Sequence, residues 1–499
     1  MTEKTPPGAP KGSQTPKISR SDDSLGAVGP SGVALARKTG ENLAAPSPHA
    51  FVRREMEQAL PPPVSAHGPV AWMRENLFSS IPYTILTLLV LYVLWTIVPP
   101  ILNFAFFDAV WSGSDRNACA NAEQGGLQPQ GWFGGCWAYV GAYFNQFIYG
   151  RFPVDEQWRV NIVGILFFGS LIPLLIPKAP FKRENIAFLL GIFPIAALIL
   201  LTGGHFRFEG FLPGTGFIFA PGASKFWADY IIASLIILAL VAMIARGSDR
   251  DPGPGMRSTA IVLGVIAVAL FVLTIDFGLN HITTDRWGGL LVTMVIAVTG
   301  ITASLPLGIA LALGRRSSMP IVKLFSVIFI EFWRGVPLIT VLFMSSVMLP
   351  LFLPEGVTFD KLLRALIGVA LFSAAYMAEV VRGGLQALPK GQYEAASALG
   401  LNWGQSMRMI ILPQALKMVI PGIVNTFIGL FKDTTLVLII GLFDFLGQIQ
   451  SSFTDPTWAT PVTSLSGYFF AAAVYFVFCY AMSRYSMFME RRLDTGHKR

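Results

Sequence analysis

The chain has 499 residues, of which 53% are hydrophobic and 13% are charged, and its formal net charge is +8. Soluble globular domains carry about 25% charged residues, so this composition excludes a soluble globular protein. The basic excess fits the positive-inside rule of membrane proteins. No basic stripe interleaved with aromatic residues lies outside the apolar segments, so we expect no nucleic-acid partner.

The N-terminal segment 1–65 is rich in proline, serine, glycine and basic residues and contains no apolar run. This composition predicts a disordered cytoplasmic segment. Because the segment also lacks the apolar stretch of a signal peptide, we expect the first membrane helix to be retained as an anchor. Whether residues 1–50 are translated stays open, since Met56 and Met73 are alternative start positions.

Long apolar runs follow, each close to or above the roughly 17–25 residues that cross a bilayer as a helix. They predict an all-α integral membrane protein with about ten transmembrane helices. The predicted spans lie near 81–105, 160–177, 185–203, 227–246, 258–275, 289–314, 322–350, 362–383, 414–442 and 465–487. We expect the bilayer to be the main solvent of this chain.

Basic residues are concentrated in alternate connections between these spans, which predicts the orientation. With the N-terminus inside, the short inner connections and the tail 491–499 hold most of the cations. The cations of those inner connections are Lys178, Lys182, Arg183, Arg246, Arg250, Arg257, Arg315, Arg316 and Lys323. The outer connections hold fewer, so we expect both termini in the cytoplasm.

The spacing of the spans divides the chain into two parts. Residues 66–286 form an N-terminal membrane extension, interrupted by a polar, aromatic-rich loop at about 108–159 that the orientation places in the periplasm. Residues 287–490 have shorter connections and form a second set of helices, followed by the cytoplasmic tail 491–499. The boundary is predicted near 276–287.

The three cysteines are too few for a disulfide framework or a usual zinc site, so no metal site is predicted. Cys119 and Cys136 share the predicted periplasmic loop, and Cys479 lies in the last apolar run. An oxidising periplasm would allow a Cys119–Cys136 disulfide. Two free thiols are the alternative, and the sequence does not choose between them.

The polar segment 394–413, EAASALGLNWGQSMRMIILP, lies between two spans on the predicted cytoplasmic side. Its alanines favour a short helix, Gly400 bends the chain, and a second short helix is predicted to end at Pro413. A surface helix with small residues on one face can seat a partner protein. On physical grounds alone, an ordinary amphipathic connection is an equal alternative.

The spacing within this segment resembles the EAA loop of ABC importer permeases. The matching residues are Glu394, Ala395, Ala396, Gly400, Ile410, Leu412 and Pro413. The resemblance implies that 385–413 is a coupling loop that docks on a cytoplasmic ABC ATPase dimer.

Three further stretches are similar to motifs of the polar amino-acid uptake (HisMQ-like) permeases. Residues 331–338 resemble E-x-x-R-G-x-P-L, 376–384 resemble Y-x-A-E-x-x-R-G-G, and 432–436 resemble K-D-T-S-L, with Thr435 in place of serine. These motifs imply that 287–490 is a five-helix type I ABC importer permease core. The first half resembles the extension of the M-type subunit of proteobacterial general L-amino-acid permeases.

The resemblance implies the permease subunit of an ABC importer that moves L-amino acids, of broad or polar specificity, across the bacterial inner membrane. The implied partners are the ATPase dimer, a second homologous permease or a second copy, a periplasmic amino-acid-binding protein and membrane lipid. No G-x-x-x-x-G-K-[ST] phosphate loop occurs in the sequence, so ATP and Mg are expected on the partner ATPase. We expect no enzyme activity, catalytic residue or cofactor in this chain.

Ionisable residues inside membrane spans are costly and point to function. Glu331 and Arg334 are three positions apart on one predicted helix face, as are Glu379 and Arg382. The first two suggest a structural ion pair or, less readily, a substrate contact. For the second two, gating, structural pairing and substrate contact stay open.

Asp433 lies about twenty residues beyond Pro413, which places it deep in the membrane. An amino-acid substrate carries an ammonium group that Asp433 or Glu379 could bind, and Thr434 and Thr435 could offer hydroxyl groups. A structural pair with Lys432 or a helix cap is the equal alternative for Asp433.

Two other functions compete with an ABC permease. An ion-coupled secondary amino-acid transporter is the main alternative, although such transporters often have inverted repeats and no clear repeat joins the two halves here. A membrane scaffold that gathers partners is the third.

Overall fold

The computed structural model describes residues 68–208, 210, 222–247, 252–352 and 360–493. Within these ranges the chain is helical and contains no β-strand. The predicted disorder of 1–65 lies outside them. Contacts divide the chain into two units, 1–91 and 92–499.

The first unit contains a short helix and the beginning of a long one. α1 (Pro69–Asn76) has a proline in its first turn, where the missing N–H costs nothing. α2 (Ile81–Leu102) carries the boundary between the units. The Thr87 hydroxyl donates to the Leu77 carbonyl at 2.7 Å and joins the two helices.

The extension part of the second unit has one helix of the predicted periplasmic loop and five further helices. They are α3 (Trp137–Tyr149), α4 (Gln157–Leu175), α5 (Lys182–Ala187), α6 (Phe193–Thr202), α7 (Ala223–Gly247) and α8 (Pro252–Thr274). A π-turn at Phe188–Ile192 links α5 and α6, so the two form one membrane-length helix.

The remaining helices form the second predicted part of the chain. They are α9 (Gly289–Arg315), α10 (Pro320–Gly335), α11 (Leu338–Phe343), α12 (Lys361–Ala387), α13 (Lys390–Ala398), α14 (Trp403–Ser406), α15 (Leu412–Met418), α16 (Ile420–Asp433), α17 (Phe445–Ser451) and α18 (Pro461–Leu493). α9 and α12 pack closely because Gly308 faces Met377, where a Cβ would come within 2.7 Å of that side chain.

Nine helices among the described residues are long and apolar enough to span a membrane, or ten if one bent pair is a single span. The predicted all-α integral membrane fold with about ten spans is confirmed. Span limits differ by a few residues from those predicted; the second span begins at Val154 and not near 160.

The predicted span 322–350 is not a straight helix. α10 and the following helical stretch Leu338–Phe352 meet at 102°. The break lies at Val336, whose extended backbone (φ −112°, ψ 133°) is the conformation that a following proline imposes. Pro337, which causes the bend, is visible in the sequence. The bend was not predicted because the apolar run continues on both sides of this proline.

The predicted span 414–442 is also interrupted. The helix breaks at Val419 (φ −107°, ψ 12°), just before Pro421 in the first turn of α16. After Asp433 the chain tightens into a 3₁₀ segment, Thr434–Ile440, which ends at the left-handed Gly441 (φ +73°). A left-handed residue is a common helix terminator, and glycine adopts it without steric cost.

The predicted periplasmic loop 108–159 is folded against the last helix of the chain. Cys119 and Cys136 form a disulfide with their Cα atoms 5.7 Å apart. The Cys136 N–H donates to the Ser466 hydroxyl of α18 at 2.7 Å, and the Arg116 N–H donates to the Thr457 carbonyl at 2.8 Å. We call this part, with α3, the loop module.

Candidate functional site

The EAA-like segment (394–413) has the helix, bend and helix that the sequence predicts. α13 is followed by Gly400 in the left-handed conformation (φ +70°), and no atom lies near the position of a Cβ there. Asn402 then starts α14 through a reciprocal capping box with Gln405, at 2.9 and 3.1 Å.

The second helix does not end at Pro413, as predicted, but continues to Met418. A π-turn over Met407–Ile411 widens the helix, and the Leu412 N–H donates to the Met407 carbonyl. Pro413 therefore lies just after the π-turn, in the first turn of α15.

Of the residues predicted to couple to the ATPase, some are buried against the rest of the chain and others are exposed. Ala396 is fully buried, and Ile410 and Leu412 are half-buried. Glu394, Ala395, Gly400 and Pro413 are exposed. Large apolar side chains are exposed beside them, with 73% of Leu399 and 62% of Trp403 accessible. The segment thus presents an apolar surface with a carboxylate beside it.

Arg316, the residue directly after α9, holds α13 to the bundle. Arg316 Nη1 donates to the Leu385 carbonyl at 3.0 Å and to the Tyr393 hydroxyl at 2.9 Å. The Tyr393 hydroxyl donates to the same Leu385 carbonyl at 3.0 Å. The Arg316 guanidinium also lies over the Tyr393 ring, 5.4 Å from its centroid. From the sequence, Arg316 was predicted only to be one of the cytoplasmic cations that set the membrane orientation.

Next to this anchor, three arginines contact the carboxylate of Glu379, and Glu331 binds one of them; together these five residues are the ion cluster. Arg382 forms a forked contact with Glu379, with Nη2 to Oε2 at 2.7 Å and Nε to Oε1 at 3.1 Å. Arg315 Nη1 reaches Glu379 Oε1 at 3.0 Å. Arg334 Nη1 lies 3.7 Å from Oε2, and Arg315 Nη1 also binds Glu331 Oε1 at 2.8 Å. Three helices thus meet through one carboxylate.

The predicted pair within Glu379 and Arg382 is present. The predicted pairing of Glu331 with Arg334 is wrong, because each of them binds a residue on another helix. Arg334 also stacks over Tyr376 of α12 at 5.8 Å. The sequence could not show that Arg315, from the end of α9, would bind Glu331.

Asp433 lies apart from the ion cluster, and no hydrogen bond or ion pair of the described residues joins it to Glu379 or to Lys432. It is half-buried at the C-terminal end of α16. The Thr434 hydroxyl donates to the Phe431 carbonyl at 2.9 Å, and the Thr435 hydroxyl donates to the Lys432 carbonyl at 3.0 Å. Thr434 is fully buried, whereas Thr435 is half-buried and its hydroxyl oxygen keeps the acceptor capacity that an ammonium group requires.

Sequence reasoning missed a buried carboxylate, Asp444. Its oxygens accept the Gly447 N–H at 3.0 Å, the Leu446 N–H at 3.3 Å and the Tyr475 hydroxyl at 3.1 Å. The Asp444 side chain therefore caps α17 and ties it to α18. An aspartate three residues after a glycine, before a helical run, was a visible capping signal.

Hydroxyl and carboxylate groups fasten the loop module to the turn before α18. Tyr139 shares a hydrogen bond with Ser452, and the Tyr143 hydroxyl donates to Asp455. Burial raises the pKa of Tyr139 to about 12. The hydrogen bond from Tyr143 holds the pKa of Asp455 below its ordinary value. Both groups are thus kept in the protonation states that the contacts need at neutral pH.

Comparison with known proteins identifies the family. The model for the binding-protein-dependent transport system inner membrane component matches residues 304–495. The chain is 43% identical to the inner membrane amino-acid ABC transporter permease protein YhdY of Escherichia coli, over 87% of this chain and 97% of that protein. It is also 43% identical to the glutamate/glutamine/aspartate/asparagine transport system permease protein BztC of Rhodobacter capsulatus, over 90% and 99%.

The chain belongs to this permease family. It is therefore a multi-pass protein of the inner membrane and a subunit of an ABC transporter. The glutamate/aspartate import permease protein GltK of Escherichia coli is 34% identical over 91% of its own length but only 41% of this permease. The longer relatives cover most of the chain, so the extension is a shared part of the longer permeases.

The matched segment 304–495 contains the EAA-like segment, the Arg316 anchor and the ion cluster. These features adjoin one another at the ends of α9 and α12. The loop module lies outside the matched segment but is hydrogen-bonded to residues inside it. The permease therefore combines a family core with an attached structure specific to longer members.

Proposed function

We propose that this permease forms part of the pore of an importer that carries L-amino acids across the inner membrane, driven by ATP hydrolysis in a separate ATPase. The observation that carries the proposal is the exposed apolar surface of the EAA-like segment, held on a fully buried Ala396. A folded surface of this kind, with Leu399 and Trp403 accessible, is suited to a protein partner.

In this proposal the EAA-like segment faces the cytoplasm, with both termini on the same side. The adjoining helix ends are rich in Lys and Arg, as the positive-inside rule expects. The exposed carboxylate of Glu394 and the apolar side chains beside it would seat a cytoplasmic ABC ATPase, which binds the ATP and Mg. A second homologous permease or a second copy would complete the pore, and a periplasmic amino-acid-binding protein would deliver the substrate.

The substrates are proposed to be polar L-amino acids. The names of two relatives specify amino acids, and one of them lists glutamate, glutamine, aspartate and asparagine. Asp433 and Glu379 are candidates for the substrate ammonium group, with the oxygens of Thr434 and Thr435 as further acceptors. Glu379 already has three arginine partners, which favours Asp433 of the two.

ATP binding can drive transport only by stabilising one permease conformation more than another. In our proposal the closing ATPase moves α13, the bundle opens outward, and hydrolysis resets it. The coupling free energy therefore passes through the seat at 394–413, and it must act in both directions between ATP and substrate.

Glu394→Lys tests this seat. It reverses an exposed charge, and we expect uptake of labelled amino acid to fall at least about tenfold, with loss of ATPase from the purified complex. Glu184→Lys is the control, since it makes the same charge reversal at an exposed glutamate of the extension. We expect it to leave both the uptake and the amount of bound ATPase unchanged. Uptake at the wild-type rate in Glu394→Lys would contradict the proposal and favour the alternative in which the chain is a membrane scaffold that gathers partners.

The energy source separates this proposal from a secondary transporter. We expect uptake by cells to continue when a protonophore collapses the proton gradient and to stop when ATP is depleted. Uptake that follows the gradient and ignores ATP would establish the ion-coupled alternative instead.

A further inference from the structure

Two consecutive arginines at the end of α9 serve different parts of the molecule. Arg315 binds Glu379 of α12 and Glu331 of α10 in the ion cluster. Arg316 binds the Leu385 carbonyl near the end of α12 and the Tyr393 hydroxyl of α13. One helix end therefore contacts both the ion cluster and α13, the helix in which the EAA-like segment begins.

The corner between α12 and α13 is a short, non-helical connection. Leu388 (φ −72°, ψ 134°) and Pro389 (φ −59°, ψ 141°) are both extended, so two non-helical residues separate the helices. The proline ring fixes the φ angle of Pro389. A change in φ or ψ of Leu388, or in ψ of Pro389, would therefore change the angle between α12 and α13. Such element-terminal residues are the usual place for a hinge.

A closed triangle of hydrogen bonds spans this corner. Arg316, Tyr393 and the Leu385 carbonyl are each joined to the other two at 2.9–3.0 Å. Leu385 precedes the corner and Tyr393 follows it, so the triangle fixes the angle at which α13 leaves α12. Hydrogen bonds from a charged donor are also the stronger kind.

We propose that Arg316 is a positioning residue that makes α13 and the ion cluster move as one body, so that displacement of the EAA-like segment reaches α10 through Arg315. This inference rests on the proposed function, in which a partner ATPase moves α13. It assigns to Arg316 and Tyr393 the coupling of that movement, and to the Leu388–Pro389 corner the flexibility that they suppress.

The test uses the complete complex with its ATPase and binding protein in proteoliposomes, and measures amino acids taken up per ATP hydrolysed. Arg316→Met keeps the length of the side chain but removes its donors, and we expect this ratio to fall about tenfold. Tyr393→Phe keeps the ring and loses only the hydroxyl, and we expect a fall of about threefold. A defect that only lowers the amount of folded complex would reduce uptake and hydrolysis together and leave the ratio unchanged.

Lys323→Met is the matched control, since Lys323 is an exposed cation on α10. Because the two groups act through one triangle, the double variant should be no worse than Arg316→Met alone. A ratio in Arg316→Met equal to that of Lys323→Met, or additive losses in the double variant, would overturn the inference.

If the complex that carries Arg316→Met does not assemble, Tyr393→Phe becomes the deciding variant. A wild-type ratio of amino acids taken up per ATP hydrolysed in Tyr393→Phe would then overturn the inference. If the wild-type complex itself shows no ATP-driven uptake, the proposed function fails and the inference falls with it.

Discussion

The membrane helices of the extension and those of the core are similarly apolar but differ in how much of each is buried. In the extension, 11% or less of each membrane span from Val154 to Thr274 is buried, whereas the span Lys361–Ala387 in the core is 56% buried. Apolar length therefore identifies a span in both regions but does not show what surrounds it. Packing against other helices distinguishes the core.

Glycines show the physical basis of this difference. In the core, a Cβ at Gly308 would come within 3.0 Å of the backbone of α12, and one at Gly384 within 2.6 Å of the Ala415 carbonyl. At Gly164 and Gly264 in the extension, no atom lies within 4 Å of that position. Small residues let core helices approach closely, and the extension helices leave the same faces to lipid or to partners.

Gly308→Leu and Gly264→Leu test this contrast, and the first should have the largest effect of all. Filling the α9–α12 contact forces the helices apart, with a cost of about 3 kcal/mol or more. Gly264→Leu adds an apolar side chain in open space and should be neutral. Thermal unfolding of the purified permease in detergent measures both. If both variants unfold at the same temperature as the wild type, the close packing of α9 against α12 does not distinguish the core from the extension.

The loop module is the part of the extension that behaves like the core, since it is buried against α17 and α18. Its disulfide closes a loop with a sequence separation of 17, which is worth about 3 kcal/mol in the chain-entropy model. We expect Cys119→Ser with Cys136→Ser to raise hydrogen exchange in the module and leave α12 protected. Cys479→Ser, at the free thiol, is the control. Unchanged exchange in the module would show that the hydrogen bonds to Ser466 and Ser452 suffice.

Within the core, the two glutamates of the ion cluster should differ. The Glu379 side chain is 15% exposed and binds three arginines, whereas that of Glu331 is 54% exposed. Glu379→Gln leaves those cations without their shared partner, and we expect a loss of about 1–3 kcal/mol in the free energy of unfolding. Glu331→Gln should cost under about 1 kcal/mol, as exposed pairs do. A larger effect at Glu331 would contradict the described geometry.

Acid should loosen the loop module by the smallest amount. The pKa of Asp455 is lowered in the folded chain by the Tyr143 hydrogen bond, so the unfolded form binds more protons. The contact therefore stabilises the module fully above the ordinary pKa of an aspartate, and this contribution is lost as pH falls through the lowered value. Protection factors at α3, which correct for the intrinsic pH dependence of amide exchange, should fall with acidification in the wild type and lose part of that dependence in Asp455→Asn. An identical pH profile in the wild type and in Asp455→Asn would show that the Tyr143–Asp455 contact does not stabilise the loop module.

The sequence could predict features that depend on local pattern. Apolar runs predicted the spans, and the residues from Glu394 to Pro413 predicted a helix, a bend at Gly400 and a second helix, although not where the second helix ends. The Glu379–Arg382 pair was also predictable, because three positions along a helix bring two side chains to one face.

Features that depend on which helices meet were not predictable. Arg315 and Arg316 are adjacent in sequence, and only the packing of α9 against α10 and α12 gives them separate partners. For the same reason Glu331 and Arg334 were assigned to each other and not to neighbouring helices. The bend at Pro337 and the π-turn before Pro413 show that a proline predicts a local disturbance but not its angle or extent.

We propose that the exposed surface at 394–413 seats the ATPase. A photoreactive amino acid at Leu399, which is largely exposed, tests it directly, with the equally exposed Ile321 of α10 as the matched control site. We predict that illumination of the intact complex links position 399 to the ATPase subunit and leaves position 321 unlinked to it. Linking at 321 alone, or at neither site while the ATPase stays in the complex, would contradict the claim.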